Sequence, residues 1–129
     1  MLMHDSGYDS YQQVNLDAQA ASATPHQLVL MLIDGLLDEL VRVKGHISAK
    51  RLAEKGEGIN KCMNILIGLD SALDIDNGGE IAANLHDLYD FIQTELFRAS
   101  VNNDNARIET AEQVITTIRE GWEGFGKHA

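Results

Sequence analysis

"TPHQLVLMLIDGLLDELV", Thr24 to Val41, is the stretch on which the fold of this chain turns. Thr24 followed by Gln27 makes a capping box, in which the threonine hydroxyl accepts from the N3 amide and the glutamine side chain reaches back to the N-cap amide. Pro25 falls at the first helical position, where a missing N–H costs nothing. A long helix therefore starts here, and its spacing carries it to about Ile47. At about 100° per residue, the apolar positions from Leu28 through Leu36 and Val43 to Ile47 fill an arc of about 140°, which is a sufficient core stripe. Leu30, Leu37 and Val41 widen the apolar surface to about 220°, more than one packed face requires.

Working outward, a second helix is predicted from about Ser48 or Lys50 to Leu73, with Leu52, Ile59, Cys62, Met63, Leu66, Leu69 and Leu73 near one face. Gly56, Gly58 and Gly68 weaken it by about 1 kcal/mol each relative to alanine. "DIDNGGE" (Asp74 to Glu80) breaks the chain, and a third helix follows from Glu80 to about Ser100, striped by Ile81, Leu85, Leu88, Tyr89, Ile92, Leu96 and Ala99. "NNDN" (Asn102 to Asn105) has turn composition. The fourth helix, about Ala106 to Trp122, repeats Ile108, Ala111, Val114, Ile115, Ile118 and Trp122 at helical spacing. The expectation is an all-α fold, an antiparallel four-helix bundle over residues 24–125. Residues 1–23 form a polar arm or cap able to hold a short helix, and 126–129 a flexible tail.

With 129 residues the chain suits one core and one domain. Its single cysteine, Cys62, excludes an internal disulfide framework and favours a reducing compartment, the cytoplasm. The longest apolar run, Leu28 to Ile33, is far below the roughly 20 residues of a membrane span, and Met1 to Asp5 lacks the basic start of a signal peptide. Neither stable membrane insertion nor cleaved secretion is expected. A net charge of −10 without any basic cluster excludes nucleic acid as a partner.

No constellation for catalysis, cofactor or metal emerges. "DNGGE" places glycines before a helix, as phosphate cradles do, but lacks both GxGxxG and GxxxxGK[ST] and reads as a helix stop and start. Taken as a calcium loop from Asp74, it would put Gly78 and Leu85 where oxygen ligands belong. His26, His46 and His86 stand singly, without the Glu-x-x-His pairs of di-metal bundles, and read as solvated or capping residues. Cys62 sits on an apolar stripe as a small hydrophobe. Asp34 and Asp38 are read as a solvated face.

What remains is apolar surface without a neighbour. Ile65 and Ile67 flank the second helix's stripe on opposite sides, and Phe91 and Phe97 lie outside the third's. With Leu30, Leu37 and Val41 they exceed what four helices should leave over, and such an excess marks a groove for an amphipathic partner helix. The arm, with Tyr8 and Tyr11, is the candidate to cover part of it when the partner is absent. The alternative is a self-associating helical adaptor or structural bundle whose apolar surface is a homodimer interface.

"YQQV", "ATPHQLVLMLIDG", "GGEIAANLHDLYDF" and "NND" before a final helix ending "REGWEGF", in this order and spacing, resemble the FliS family of flagellin-specific export chaperones. The resemblance runs from about Tyr8 to Trp122. It departs from the family pattern at Phe91, where tyrosine is usual, and near Thr94 and Glu95, where a basic pair is. It implies a cytoplasmic, non-enzymatic helical bundle that binds the disordered C-terminal segment of flagellin, prevents premature polymerisation and engages the flagellar export gate. It implies further that the region of Tyr8 and Tyr11 lies over an apolar site and moves when flagellin binds. Some relatives also bind a regulator of flagellar transcription.

Overall fold

In a computed structural model of the protein, residues 21–127 are described. They contain four long helices: α1 (Pro25–Ser48), α2 (Leu52–Ser71), α3 (Ile75–Asn102) and α4 (Asn105–Lys127). The helices form an antiparallel four-helix bundle in which each packs on the next and α4 returns to α1. Long-range bonds fix the directions. Asp34 near the start of α1 binds Arg119 late in α4, whereas Lys44 late in α1 binds Glu112. Likewise Asp70 at the end of α2 meets His86 early in α3, and Lys55 at the start of α2 reaches Ser100.

α1 begins as its residues dictate. The Gln27 amide donates to Thr24 Oγ1 at 3.1 Å, and the Thr24 amide donates to Gln27 Oε1 at 2.9 Å. Its end is less obvious from sequence. Lys50 adopts the left-handed conformation (φ 60°), so that the Arg51 amide reaches the His46 carbonyl and the Lys50 amide reaches Ile47. This is a Schellman closure with lysine where glycine is usual. It moves the start of α2 to Leu52, beyond the expected Ser48 or Lys50.

The break at Asp74 to Glu80 is shorter than expected. Asp74 caps a first turn by accepting from the Asn77 amide at 3.1 Å, and the non-helical point inside α3 is Gly79 (φ 58°, ψ −134°). An L side chain rarely adopts that conformation. Asn103, also left-handed, ends α3, and the Lys55 ammonium holds this corner through the Ser100 carbonyl (2.9 Å) and Asn103 Oδ1 (2.7 Å).

The core takes up most of the expected stripes, but Leu28, Leu32, Leu52, Ile81 and Leu88, read as stripe residues, are exposed. Leu36, Leu40 and Val43 meet Cys62 and Leu66, Ile92 and Leu96, and Ile108 and Ile115, all buried. Gly58 has a packing reason that propensity conceals: a Cβ there would lie 2.7 Å from Val43 Cγ2. The glycine lets α1 and α2 approach closely. α4 runs past the expected end at Trp122 to Lys127, taking in residues 126 and 127 of the predicted tail. Trp122 and Phe125 supply the reason, since both rings join a stack that begins at His26 of α1.

Candidate functional site

Part of the apolar surface that the core does not absorb gathers in two grooves. The larger, of about 790 Å³, lies between the first half of α3 and the second half of α4, with Ala72 and Leu73 closing one end. Ile81, Leu85 and Leu88 come from α3; Val114, Ile118, Trp122 and Phe125 come from α4. Ile81 is 67% exposed and Phe125 64%. These residues recur at helical spacing along α3 and α4, so the groove follows the two helices and offers the kind of apolar lining that takes another helix. Asp74 and Thr117 are among its few polar contributors.

One wall is held from behind. The Trp122 indole N–H donates to the His26 carbonyl at 3.1 Å, and the two rings stack with centroids 5.2 Å apart. Arg119, one turn earlier, binds Asp34 at 2.6 Å and Glu123 at 2.8 Å, which keeps its guanidinium charged and pins α4 to α1. Asp34 is therefore an ion-pair partner, where the sequence suggested a solvated residue. At the opposite end of the bundle, a second groove of about 540 Å³ between α2 and α3 is lined by Leu52, Met63, Phe97 and Val101.

The residues singled out from sequence do not converge on the larger groove. Tyr8 and Tyr11 lie outside the described residues. Leu30 lines a small cleft with Met31, Asp34 and Arg119. Leu37 and Ile65 are half-buried against the core. Val41, Ile67 and Phe91 are exposed at 59%, 54% and 43%. Helical spacing places Leu30, Leu37 and Val41 on the edge of α1 that carries Asp34 and so faces α4. Ile65 lies two turns from Gly58 on the α1-facing side of α2; Ile67 lies across that helix from it. Phe91 lies one turn from Glu95, which binds Arg107 of α4. The six are spread over several seams of the bundle.

Conversely, Ile81, Leu88 and Trp122 read as core stripe in the sequence and line the groove in the structure, while Leu85 and Ile118 both pack on the core and form part of the groove's floor. Periodicity reports an apolar face, not whether another helix stands opposite. Phe125, beyond the helix end that periodicity gives, entered the sequence reading only as the last residue of the REGWEGF motif.

Burial, reinforced by Glu39, pushes the Cys62 thiol up to about 12, so it stays protonated. Glu95, at one of the departures from the family pattern, is buried and paired with Arg107 at 3.2 Å. His46 accepts from the Arg51 guanidinium, and His86 pairs with Asp70. Among the described residues, no group of three or more His, Cys, Asp or Glu side chains could hold a metal ion, and no helix is long and apolar enough to cross a membrane.

The family model "Flagellar protein FliS" matches residues 7–129. The chain is 40% identical over 125 residues to the flagellar secretion chaperone FliS of Salmonella typhimurium, covering 96% of this chain and 93% of that one. It is 36% identical over 115 residues to the flagellar secretion chaperone FliSB of Pseudomonas aeruginosa, covering 89% and 91%. Its fold matches a crystal structure of a bacterial flagellar chaperone with a TM-score of 0.76, across 92% of this chain and 98% of that one. At 17% identity that likeness speaks for the fold.

Proposed function

The chain belongs to the FliS family of flagellar proteins, and on that premise we propose that it is a cytoplasmic, non-enzymatic export chaperone for flagellin. It binds the disordered C-terminal segment of flagellin, keeps subunits from polymerising before secretion, and delivers them to the flagellar export gate. The observation that carries this reading is the channel between α3 and α4, whose Ile81 and Phe125 present large apolar surfaces to solvent. Exposed apolar area of this shape is costly to maintain in a monomer and suits a partner helix.

Sequestration follows from the same physics. The client segment self-associates through its apolar face in the filament, so a chaperone that occupies that face removes the surface through which subunits add. Ordering the segment costs several kcal/mol, which offsets much of the burial gain and leaves the complex exchangeable. Handover then proceeds without a nucleotide. The arm bearing Tyr8 and Tyr11 covers apolar surface until the client displaces it, while Leu30, Leu37, Val41, Ile65, Ile67 and Phe91 extend the contact around the bundle.

Charged substitutions in the channel test the reading. Ile81→Asp and Phe125→Asp should weaken capture of the flagellin tail by at least about tenfold, since each desolvates a carboxylate against an apolar client, while leaving helicity unchanged. Binding of both variants at wild-type strength would remove the channel from the client site.

A further inference from the structure

The larger groove has an electrostatic rim, and the rim specifies what fits. The groove occupies the end of the bundle formed by the first halves of α1 and α3 and the second halves of α2 and α4. In that half the only lysine or arginine residues are Arg119 and Lys127; all the others, from Arg42 to Arg107, lie in the opposite half. Arg119 is already engaged by Asp34 and Glu123, and Asp70 is engaged by His86. Asp74 lines the groove, Glu80 and Glu120 neighbour the lining residues Ile81 and Gly121, and Asp76 and Asp87 lie elsewhere on the same half of α3; none of the five is buried, and none has a cationic partner among the described residues. Helix dipoles do not offset this charge, because the antiparallel bundle brings two N-termini and two C-termini to the same end.

We infer that the occupant of this groove is an amphipathic helix with an apolar face and lysine or arginine along its flank. This specifies the client segment and so rests on the reading of the groove as a client site. An apolar floor supplies non-directional affinity, and a rim of one sign selects among apolar helices by charge and sets their orientation and encounter rate. Two other occupants are disfavoured by the same charges. A second copy seated through this groove about a two-fold axis would set the acidic rim against itself. The chain's own first 23 residues contain no lysine or arginine and three aspartates, so their charge has the same sign as the rim.

Trp122 provides the readout, since it is the chain's only tryptophan and it lines the groove. The probes are two synthetic helices of about 18 residues with the same leucine and alanine face, no aromatic residues, and either lysine or glutamate along the flanks. The full chain at low salt should bind the lysine-flanked helix about tenfold more tightly than the glutamate-flanked one, with a blue shift of Trp122 emission, and about 0.5 M salt should close most of that gap. Replacing Glu80 and Glu120 by lysine should invert the preference. Equal affinities at all salt concentrations would overturn the inference and leave a groove that reads shape alone. No emission shift with either probe would overturn it too, and a doubled mass in the same samples would assign the groove to a second copy. A flagellin tail that binds without moving Trp122 emission removes this inference and leaves the chaperone reading standing. A lysine-flanked helix that binds where the flagellin tail does not has the opposite meaning.

Discussion

The indole of Trp122 donates to the carbonyl of His26 at 3.1 Å while lying nearly parallel to its imidazole, 10° between planes. This contact joins residues near the two ends of the described chain and ties the close of α4 to the first turn of α1. It also holds the indole where, stacked with Phe125, it lines the main groove. Stability and binding therefore share one side chain.

Substitution at this position separates the two roles. Trp122→Phe keeps the ring and loses the hydrogen bond, for an expected loss of about 1 kcal/mol. Trp122→Ala loses the stack and its packing and should cost about 3 kcal/mol, read from urea unfolding midpoints. Equal effects of the two changes would show that the stack contributes nothing.

Glycines in α2 should respond in opposite directions. Gly68→Ala meets open space and should stabilise by up to about 1 kcal/mol through helix propensity. Gly58→Ala gains the same propensity but drives a methyl to 2.7 Å from Val43 Cγ2 and 3.1 Å from Glu39 Oε1. The expected net effect is a loss of about 1 to 3 kcal/mol, because overpacking a tight helix pair outweighs propensity. Stabilisation by both would contradict the close approach of α1 and α2.

These glycines mark the limit of what the sequence discloses. The capping box at Thr24 and Gln27 is a local pattern and was legible, as were the buried centres of the four stripes, such as Leu36, Leu66, Ile92 and Ile115. Gly58 was not, because its reason is Val43 on another helix. The same holds for Asp34, whose partner Arg119 is 85 residues away. Lys50 carries no mark of its left-handed conformation, which the Schellman bonds impose. The grooves were half legible: excess apolar surface could be counted from residues such as Phe97 of the smaller one, but in the larger the stripe of Ile81, Leu85 and Leu88 looked like core until its missing neighbour was known.

Gly79 should tolerate no β-carbon. Although space is open around it, its φ of 58° with ψ of −134° is strained for any L residue. Gly79→Ala should cost about 1 to 3 kcal/mol and alter the start of α3, visible as faster amide exchange over residues 75–82. An unchanged midpoint and exchange pattern would show that α3 can run straight through the break.

The His86 and Asp70 pair predicts a pH dependence. His86 Nδ1 lies 2.7 Å from Asp70 Oδ1, and this hydrogen bond and charge, with smaller help from Asp87 and Asp90, raise the imidazole above its ordinary 6.5. Because the folded state favours the protonated form, the contribution is complete below about pH 6.5 and fades as pH rises through the raised value. Melting temperatures followed from about pH 5.5 to about pH 8.5 should fall less steeply in His86→Ala than in the wild type. Parallel curves would mean that the pair does not couple α2 to α3 in solution.

Removal of residues 1–15 tests the arm as a cover. If the arm shields apolar surface, the shortened chain should increase the fluorescence of a hydrophobic dye while retaining its helicity. Unchanged fluorescence would assign the cover to something else.

The most direct test of the central claim is titration calorimetry of the full chain with a peptide spanning about the last 40 residues of its cognate flagellin, repeated at several temperatures to give the heat-capacity change. The account predicts one-to-one binding with a large negative heat-capacity change, as a disordered tail folds onto apolar grooves. Absence of binding, or binding with no heat-capacity change, would contradict it.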